Sequence, residues 1–205
     1  HKIKKIAVLG AGTMGAQIAG HFANAGIPAL LFDINIDLAS SGIENLTKLR
    51  PAPLYKPKNS ESITPCTYEN DLEKLNEVDF VLEAVAENLD IKHTVYKNII
   101  PHLKDSVIIS SNTSGIPLED LIKVFPANLK SRFLITHFFN PPRYMRLLEL
   151  VKGSKTDKNV YERLVVIGEK ILGKGIVHAK DTPNFIGNRI GVHGANNAIK
   201  LAIDM

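Results

Sequence analysis

The feature that most constrains this chain is Gly10-Ala11-Gly12-Thr13-Met14-Gly15, which directly follows the apolar run Ile6-Ala7-Val8-Leu9. A G-x-G-x-x-G string alone carries little weight, because glycines recur in ordinary turns. Here a β-type run from Ile3 to Leu9 precedes it, and a helical pattern (Ala16, Ile18, Ala19, Phe22, Ala23) follows. In that setting the glycines serve distinct ends. Gly10 makes a tight turn, Gly12 lets backbone approach a pyrophosphate, and Gly15 removes a side chain where helix packs on strand. The phosphates then meet free N–H groups at the helix N-terminus, around Thr13 and Met14, where the macrodipole favours negative charge. Gly26 stops the helix, and a second apolar strand, Ala29 to Phe32, ends in Asp33. An acid there can accept hydrogen bonds from the adenosine ribose hydroxyls and repels a 2′-phosphate, so NAD is expected rather than NADP.

With 205 residues, 44% of them hydrophobic, the chain is long enough to bury a full domain core. A net charge of +4 with Lys and Arg interspersed among Asp and Glu gives no basic block, so no nucleic-acid or membrane surface is expected. The single cysteine, Cys66, rules out an internal disulfide framework and a cysteine-based metal site. It fits a reducing, intracellular compartment, read here as cytoplasmic. No signal-peptide pattern or membrane-length apolar run is present in this sequence, and His1 reads as a remnant or cut point.

Further along, Asp37 to Leu49 reads as a helix with Leu38, Ile43, Leu46 and Leu49 on or near one face. Arg50 to Pro65 carries four prolines and reads as a loop; Lys56 and Lys58 in it either touch a phosphate-bearing ligand or are simply solvated. Ile63 to Tyr68 suggests a short strand and Asn70 to Asn76 a short helix. Val78 to Val85 is a buried parallel-type strand, followed by a helix to about Ile100 with Asp90 as its cap. Ser106 to Ser110 is another strand, then comes the polar elbow Ser111 to Gly115, and Pro117 opens a helix to about Phe125. Strands alternating with helices at this spacing predict a Rossmann-like, doubly wound, mostly parallel α/β sheet, with ligands at the carboxyl ends of its strands.

Arg132 to Thr136 forms the next strand, ending in His137-Phe138-Phe139-Asn140-Pro141-Pro142, and the chain returns as Leu147 to Val151. If these runs pair as an antiparallel hairpin about Arg143, His137 and Glu149 stand opposite each other, with Cβ atoms roughly 5 Å apart. Glu149 lies in an otherwise apolar strand, where a carboxylate needs a partner. A helix from Asp157 to Leu172, a stop at Gly173 and a strand from Gly175 to His178 follow. Asp181-Thr182-Pro183 then starts a last helix, from about Asn184 to Met205. It is apolar on more than one face, so a following domain outside this chain is expected to cover it. Residues 1–183 thus read as the cofactor-binding domain, and 184–205 as the start of a linking helix to a C-terminal helical domain.

Taken together, these motifs resemble the NAD-binding domain of 3-hydroxyacyl-CoA dehydrogenases, enzymes of fatty-acid β-oxidation. The resemblance covers nearly the whole chain. It rests on Gly10 to Gly15, Glu83-Ala84-Val85-Ala86-Glu87-Asn88, Ser111-Asn112-Thr113-Ser114, His137 to Pro141, and Asp181-Thr182-Pro183-Asn184-Phe185-Ile186-Gly187-Asn188-Arg189. The proline-rich segment and the Asn-Pro-Pro-Arg-Tyr run are most similar to the long multifunctional form. The resemblance implies NAD-dependent oxidation of (S)-3-hydroxyacyl-CoA to 3-ketoacyl-CoA, with an acyl-CoA as substrate and a homodimer or larger assembly through the C-terminal domain. It further implies His137 as general base, Glu149 as the acid that orients it, Ser114 and Asn188 at the reacting oxygen or the base, and Asn140 beside the pair. Glu87 and Lys92 match contacts to the nicotinamide ribose and its surroundings; Ala84 and Asn112, at the neighbouring strand ends, join Gly10, Gly12, Thr13, Met14, Gly15 and Asp33 as cofactor contacts. The chain departs from the commoner pattern at Asn184, where Gly is more usual, and at Gly115, where Ser is more usual. It also lacks the lysine-rich helical hairpin that often follows Asp33.

From the residues alone, Ser114 reads equally as a cap for the helix after Pro117, and Asn188 as an exposed helix amide. The remaining histidines show no pairing in sequence, and no cluster has metal-ligand spacing. Two other readings stay open: a different NAD-dependent hydroxyacid dehydrogenase of the same fold, where a lysine is the usual base, and a non-catalytic NAD-binding or structural member of the family.

Overall fold

The computed structural model describes residues 3–204. Eight strands make one sheet: β1 (Ile6–Leu9), β2 (Ala29–Asp33), β3 (Ile63–Thr67), β4 (Phe80–Glu83), β5 (Ile108–Ser111), β6 (Phe133–Phe138), β7 (Leu147–Lys152) and β8 (Gly175–Ala179). Their order is β3-β2-β1-β4-β5-β6-β7-β8. The first six run parallel, β7 pairs antiparallel with β6, and β8 lies parallel to β7. The chain leaves β1 toward β2 on one side and reaches β4 on the other. This reversal opens a crevice at the carboxyl ends of β1 and β4, where open α/β sheets bind ligands.

The helices are α1 (Thr13–Asn24), α2 (Ile36–Lys48), α3 (Leu89–Ile99), the single turns α4 (Leu118–Leu121) and α5 (Ala127–Lys130), α6 (Lys158–Val166) and α7 (Gly187–Asp204). Successive strand residues point to opposite faces, so Ile6 and Val8 join a core with Phe22 of α1 and Leu164 of α6. Ala7 and Leu9 join a second core with Tyr96 of α3 and Leu121 of α4. Both faces of the sheet are therefore covered, which explains why its strands read as near-continuous apolar runs.

Glycine sets the geometry around α1. Gly10 has φ +100°, and a Cβ on it would lie 2.7 Å from the Ala84 carbonyl oxygen. A Cβ on Gly15 would lie 1.8 Å from the Gly10 oxygen. Helix and loop can approach this closely only without those side chains.

Several details differ from the sequence reading. Ile3 is buried but lies before β1, and α3 is capped by Asn88, whose side chain accepts from the Ile91 N–H; Asp90 sits in its first turn instead. On α2 the buried residues are Ala39, Gly42 and Leu46, while Leu38 and Leu49 are exposed. The proline-rich segment contains a 3₁₀ turn, Pro57–Ser62, and is docked: the Arg143 guanidinium donates to the Ala52 and Leu54 carbonyls and stacks on Tyr55. Lys56 and Lys58 remain exposed. The last helix begins at Gly187 instead of Asn184, because Asn184 and Phe185 adopt left-handed backbone (φ 62° and 46°). Its described residues end at Asp204; Met205, like His1 and Lys2, lies outside them.

Candidate active site and cofactor cleft

Helix α1 begins at Gly12, which has no side chain to cap it, so the first-turn N–H groups at Thr13 and Met14 have no helical acceptor. Gly12 and Thr13 are exposed, and a Cβ on Gly12 would meet nothing within 4 Å. Open space in front of unsatisfied N–H groups suits a pyrophosphate. At the end of β2, Asp33 accepts the Ala11 N–H at 2.7 Å and the Ile34 N–H at 2.7 Å. These bonds fix the carboxylate beside the glycine loop and leave further lone pairs for ribose hydroxyls. The residues present thus fit the dinucleotide that the sequence pattern implies.

The end of β4 carries Ala84 and Glu87. Ala84 is half-buried and its N–H bonds the Leu9 carbonyl, which closes the loop against β1. Glu87 accepts from Thr113 Oγ1 at 2.5 Å and from the Ser114 N–H at 2.8 Å. Burial opposes its ionisation. The Thr113 hydrogen bond, the Lys92 charge and the Ser114 N–H outweigh that and hold its carboxyl below the usual glutamate range. Lys92 differs from its expected position: it is 1% exposed, with its ammonium 2.6 Å from Glu83 Oε1 and 3.2 Å from Glu87 Oε2. It can act on a cofactor only through Glu87. Asn112 uses its side-chain oxygen to accept the Phe138 N–H at 2.8 Å, which ties the end of β5 to the end of β6.

Along β6 and β7 the pairing register sets His137 directly opposite Glu149. The imidazole Nδ1 and Glu149 Oε2 are 2.7 Å apart, both side chains being buried. The other carboxylate oxygen, Oε1, accepts the Ile186 N–H at 3.0 Å and the Gly187 N–H at 2.7 Å. A carboxylate accepts only, so Nδ1 must carry a proton, and in the neutral ring Nε2 is then a lone-pair acceptor. Nε2 makes no hydrogen bond among the described residues. Phe139 and Phe185 flank the ring, with centroids at 4.5 Å and 5.6 Å.

The other expected residues fall around this pair. Asn140 is exposed and its Oδ1 accepts from Gln17 of α1 at 3.3 Å, a link across the sheet ends that the sequence did not show. Asn188 is half-buried in the first turn of α7, immediately after the Gly187 N–H held by Glu149. Ser114 is exposed, and it is not a helix cap. Thr113 Oγ1 takes the Ile116 N–H, and the Asp181 carboxylate takes the Leu118 N–H at the start of α4. The Ser114 hydroxyl has no partner among the described residues.

Sequence reasoning missed the buried support of the cleft. Glu83 is fully buried and accepts from Lys92, Tyr96, Ser111 and the Val85 N–H. A glutamate closing an apolar strand was the available signal, the same one that singled out Glu149. Other histidines do have partners: His21 bonds the Leu172 carbonyl, His93 the Asp120 carbonyl, and His178 the Tyr161 hydroxyl. Among the described residues no three His, Cys, Asp or Glu side chains are grouped to hold a metal ion, and no helix is long and apolar enough to cross a membrane.

A family model described as the NAD-binding domain of 3-hydroxyacyl-CoA dehydrogenase matches residues 5–182. The chain is similar to the "Probable 3-hydroxyacyl-CoA dehydrogenase" of Bacillus subtilis (strain 168), at 44% identity over 216 residues, covering 95% of this chain and 27% of that protein. It is 46% identical over 206 residues to the protein of the same name from Deinococcus radiodurans, covering 97% of this chain and 60% of the relative. Other relatives are named fatty acid oxidation complex subunit alpha. Among solved structures, the (S)-3-hydroxybutyryl-CoA dehydrogenase of Ralstonia eutropha superposes with a TM-score of 0.80 at 32% identity, covering 92% of this chain and 68% of that one. The chain therefore spans between about a quarter and three fifths of these two curated relatives.

Proposed function

The chain belongs to the 3-hydroxyacyl-CoA dehydrogenase family, as its NAD-binding domain, and from that membership we propose that it serves NAD-dependent oxidation of (S)-3-hydroxyacyl-CoA to 3-ketoacyl-CoA in fatty-acid β-oxidation. NAD, when bound, supplies the hydride acceptor. The observation that carries the reading is the buried His137–Glu149 contact at 2.7 Å, with the second Glu149 oxygen already committed to two backbone N–H groups.

In this reading Nε2 of His137 takes the proton of the substrate 3-hydroxyl as hydride leaves C3. Glu149 keeps the ring in the tautomer that can do so and stabilises the resulting imidazolium. In the reverse direction the same imidazolium returns the proton to the 3-keto oxygen. Ser114 and Asn188 hydrogen-bond that oxygen, and Asn140, held by Gln17, borders the site. Gly10, Gly12, Thr13, Met14 and Gly15 hold the pyrophosphate, Asp33 the adenosine ribose, and Ala84, Glu87 and Asn112 line the nicotinamide end.

We place the boundary of the cofactor unit near residue 183 and read 184–205 as a helix that packs within a helical domain. The exposed Ile190, Val192, Ile199 and Leu201 on α7 support this, as does the greater length of the relatives. Such a domain would complete the acyl-CoA site and form the contact between subunits. The chain by itself is then expected to bind NADH but turn over weakly, and to gain activity when joined to the corresponding C-terminal region of a relative.

The deciding experiment is NADH consumption with acetoacetyl-CoA by that joined protein, beside the same protein carrying His137→Ala. Activity that falls by about 10²-fold or more without His137 supports both reaction and base. Undiminished activity would remove His137 as base, and NADH binding without turnover in either protein would reject the acyl-CoA substrate.

A further inference from the structure

The polar cluster beneath Glu87 has a charge balance of its own. Glu83, fully buried at the end of β4, accepts from Lys92 Nζ (2.6 Å), Ser111 Oγ (2.6 Å), Tyr96 Oη (2.7 Å) and the Val85 N–H (2.8 Å). So many donors keep a buried carboxylate tolerable as an anion. Lys92 lies between this carboxylate and that of Glu87, and is itself 1% exposed. Two carboxylates against one ammonium leave a net charge of −1. Of the three side chains only Glu87 reaches the surface, with 46% of its side chain exposed. The surplus charge therefore faces the cleft at Glu87, where protein walls screen it less than water would.

We propose that the Glu83–Lys92–Glu87 triad selects the oxidation state of the cofactor, its net negative charge favouring the cationic nicotinamide of NAD⁺ over the neutral ring of NADH. Glu83 acts as a positioning residue. By sharing Lys92 it keeps Glu87 from being fully neutralised, and Glu87 in turn fixes Thr113 Oγ1 and the Ser114 N–H. The inference rests on the reading of Glu87 as a neighbour of the nicotinamide ribose.

The test compares dissociation constants of NAD⁺ and NADH, by titration calorimetry, for the unaltered chain and for Glu83→Gln, which keeps the shape of the side chain and removes its charge. A charge a few ångströms away across a protein-like medium changes affinity roughly tenfold. NAD⁺ binding should therefore weaken about tenfold while NADH changes less than about threefold. Ser111→Ala, which takes one donor from Glu83 without altering charge, should lower Tm and leave the NAD⁺/NADH ratio unchanged. If Glu83→Gln does not fold, Glu87→Gln makes the same change of charge at the half-exposed end and should move the ratio in the same direction. Equal weakening of both cofactors, or an unmoved ratio, overturns the proposal. An unaltered chain that binds neither cofactor overturns instead the reading of this cleft as a nicotinamide site.

Discussion

Glu149 binds two things at once, the imidazole of His137 through one oxygen and the entry to α7 through the other. Glu149→Ala would strand three buried donors, so it should cost about 3 kcal/mol or more in addition to the loss of turnover. Urea unfolding measured beside the NADH assay separates the two effects, and an alanine variant of native stability would show that these bonds contribute little. Asn184 and Gly115, the two departures from the commoner family pattern, are neighbours: a Cβ on Gly115 would lie 3.2 Å from Asn184 Oδ1. Gly115→Ser should therefore destabilise the chain, and Asn184→Gly should relieve that cost, with a coupling of about 0.5 kcal/mol or more in a double-mutant cycle. Additive effects would mean that the two sites do not compete for space.

For the strand–loop–helix element formed by β1 and α1, the glycines separate folding from binding. Gly15→Ala places a Cβ 1.8 Å from a backbone oxygen and should cost about 3 kcal/mol through forced backbone movement. At Gly12 the same substitution meets open space, so stability should change by no more than about 0.5 kcal/mol. NADH affinity should nevertheless fall, because the new methyl occupies ground a pyrophosphate needs. Thermal melts and NADH titration of the two variants check the contrast; equal loss of stability in both would contradict it. The motif and its flanking periods were enough to assign this element from sequence. The turn before α7 was not legible in the same way. Asp181-Thr182-Pro183 looks like an ordinary helix start, yet Asn184 and Phe185 are held left-handed where Phe185 buries its ring beside His137. Burial of that aromatic ring offsets the backbone strain, and such a balance exists only in the folded chain.

Over the whole molecule, pH dependence should expose a buried basic corner. His21 is 4% exposed; its Nε2–H donates to the Leu172 carbonyl, and Nδ1 has no partner among the described residues. Burial, and then the nearby Lys174 charge, lower its pKa from 6.5 to about 4. Between those values the unfolded chain binds the extra proton and the folded chain does not. Stability is therefore complete above pH 6.5 and declines as pH falls toward 4, by up to roughly 3 kcal/mol. Lys174, held by the Pro142 and Met145 carbonyls, is lowered by burial from 10.5 to about 8, so stability should rise again with pH across that range. Urea midpoints between pH 4 and 6.5 test the first expectation. His21→Gln, which keeps a donor for Leu172, should flatten the curve, and an unchanged slope would place the titration elsewhere.

The doubly wound sheet, the glycine loop with Asp33, and the register that sets His137 opposite Glu149 are all legible in the order of residues along the chain. Each depends on local spacing: period-two burial, glycine placement and the symmetry of a hairpin about its turn. Other features emerge only when the chain is folded. Lys92 is buried beneath Glu87, Glu83 organises the cleft from below, Thr113 and Asp181 take the bonds expected of Ser114, and Arg143 clasps the proline-rich segment. Those facts depend on which side chains from distant segments meet in a low-dielectric interior. There the donors and acceptors must balance across the whole set of neighbours, and no stretch of sequence records that balance.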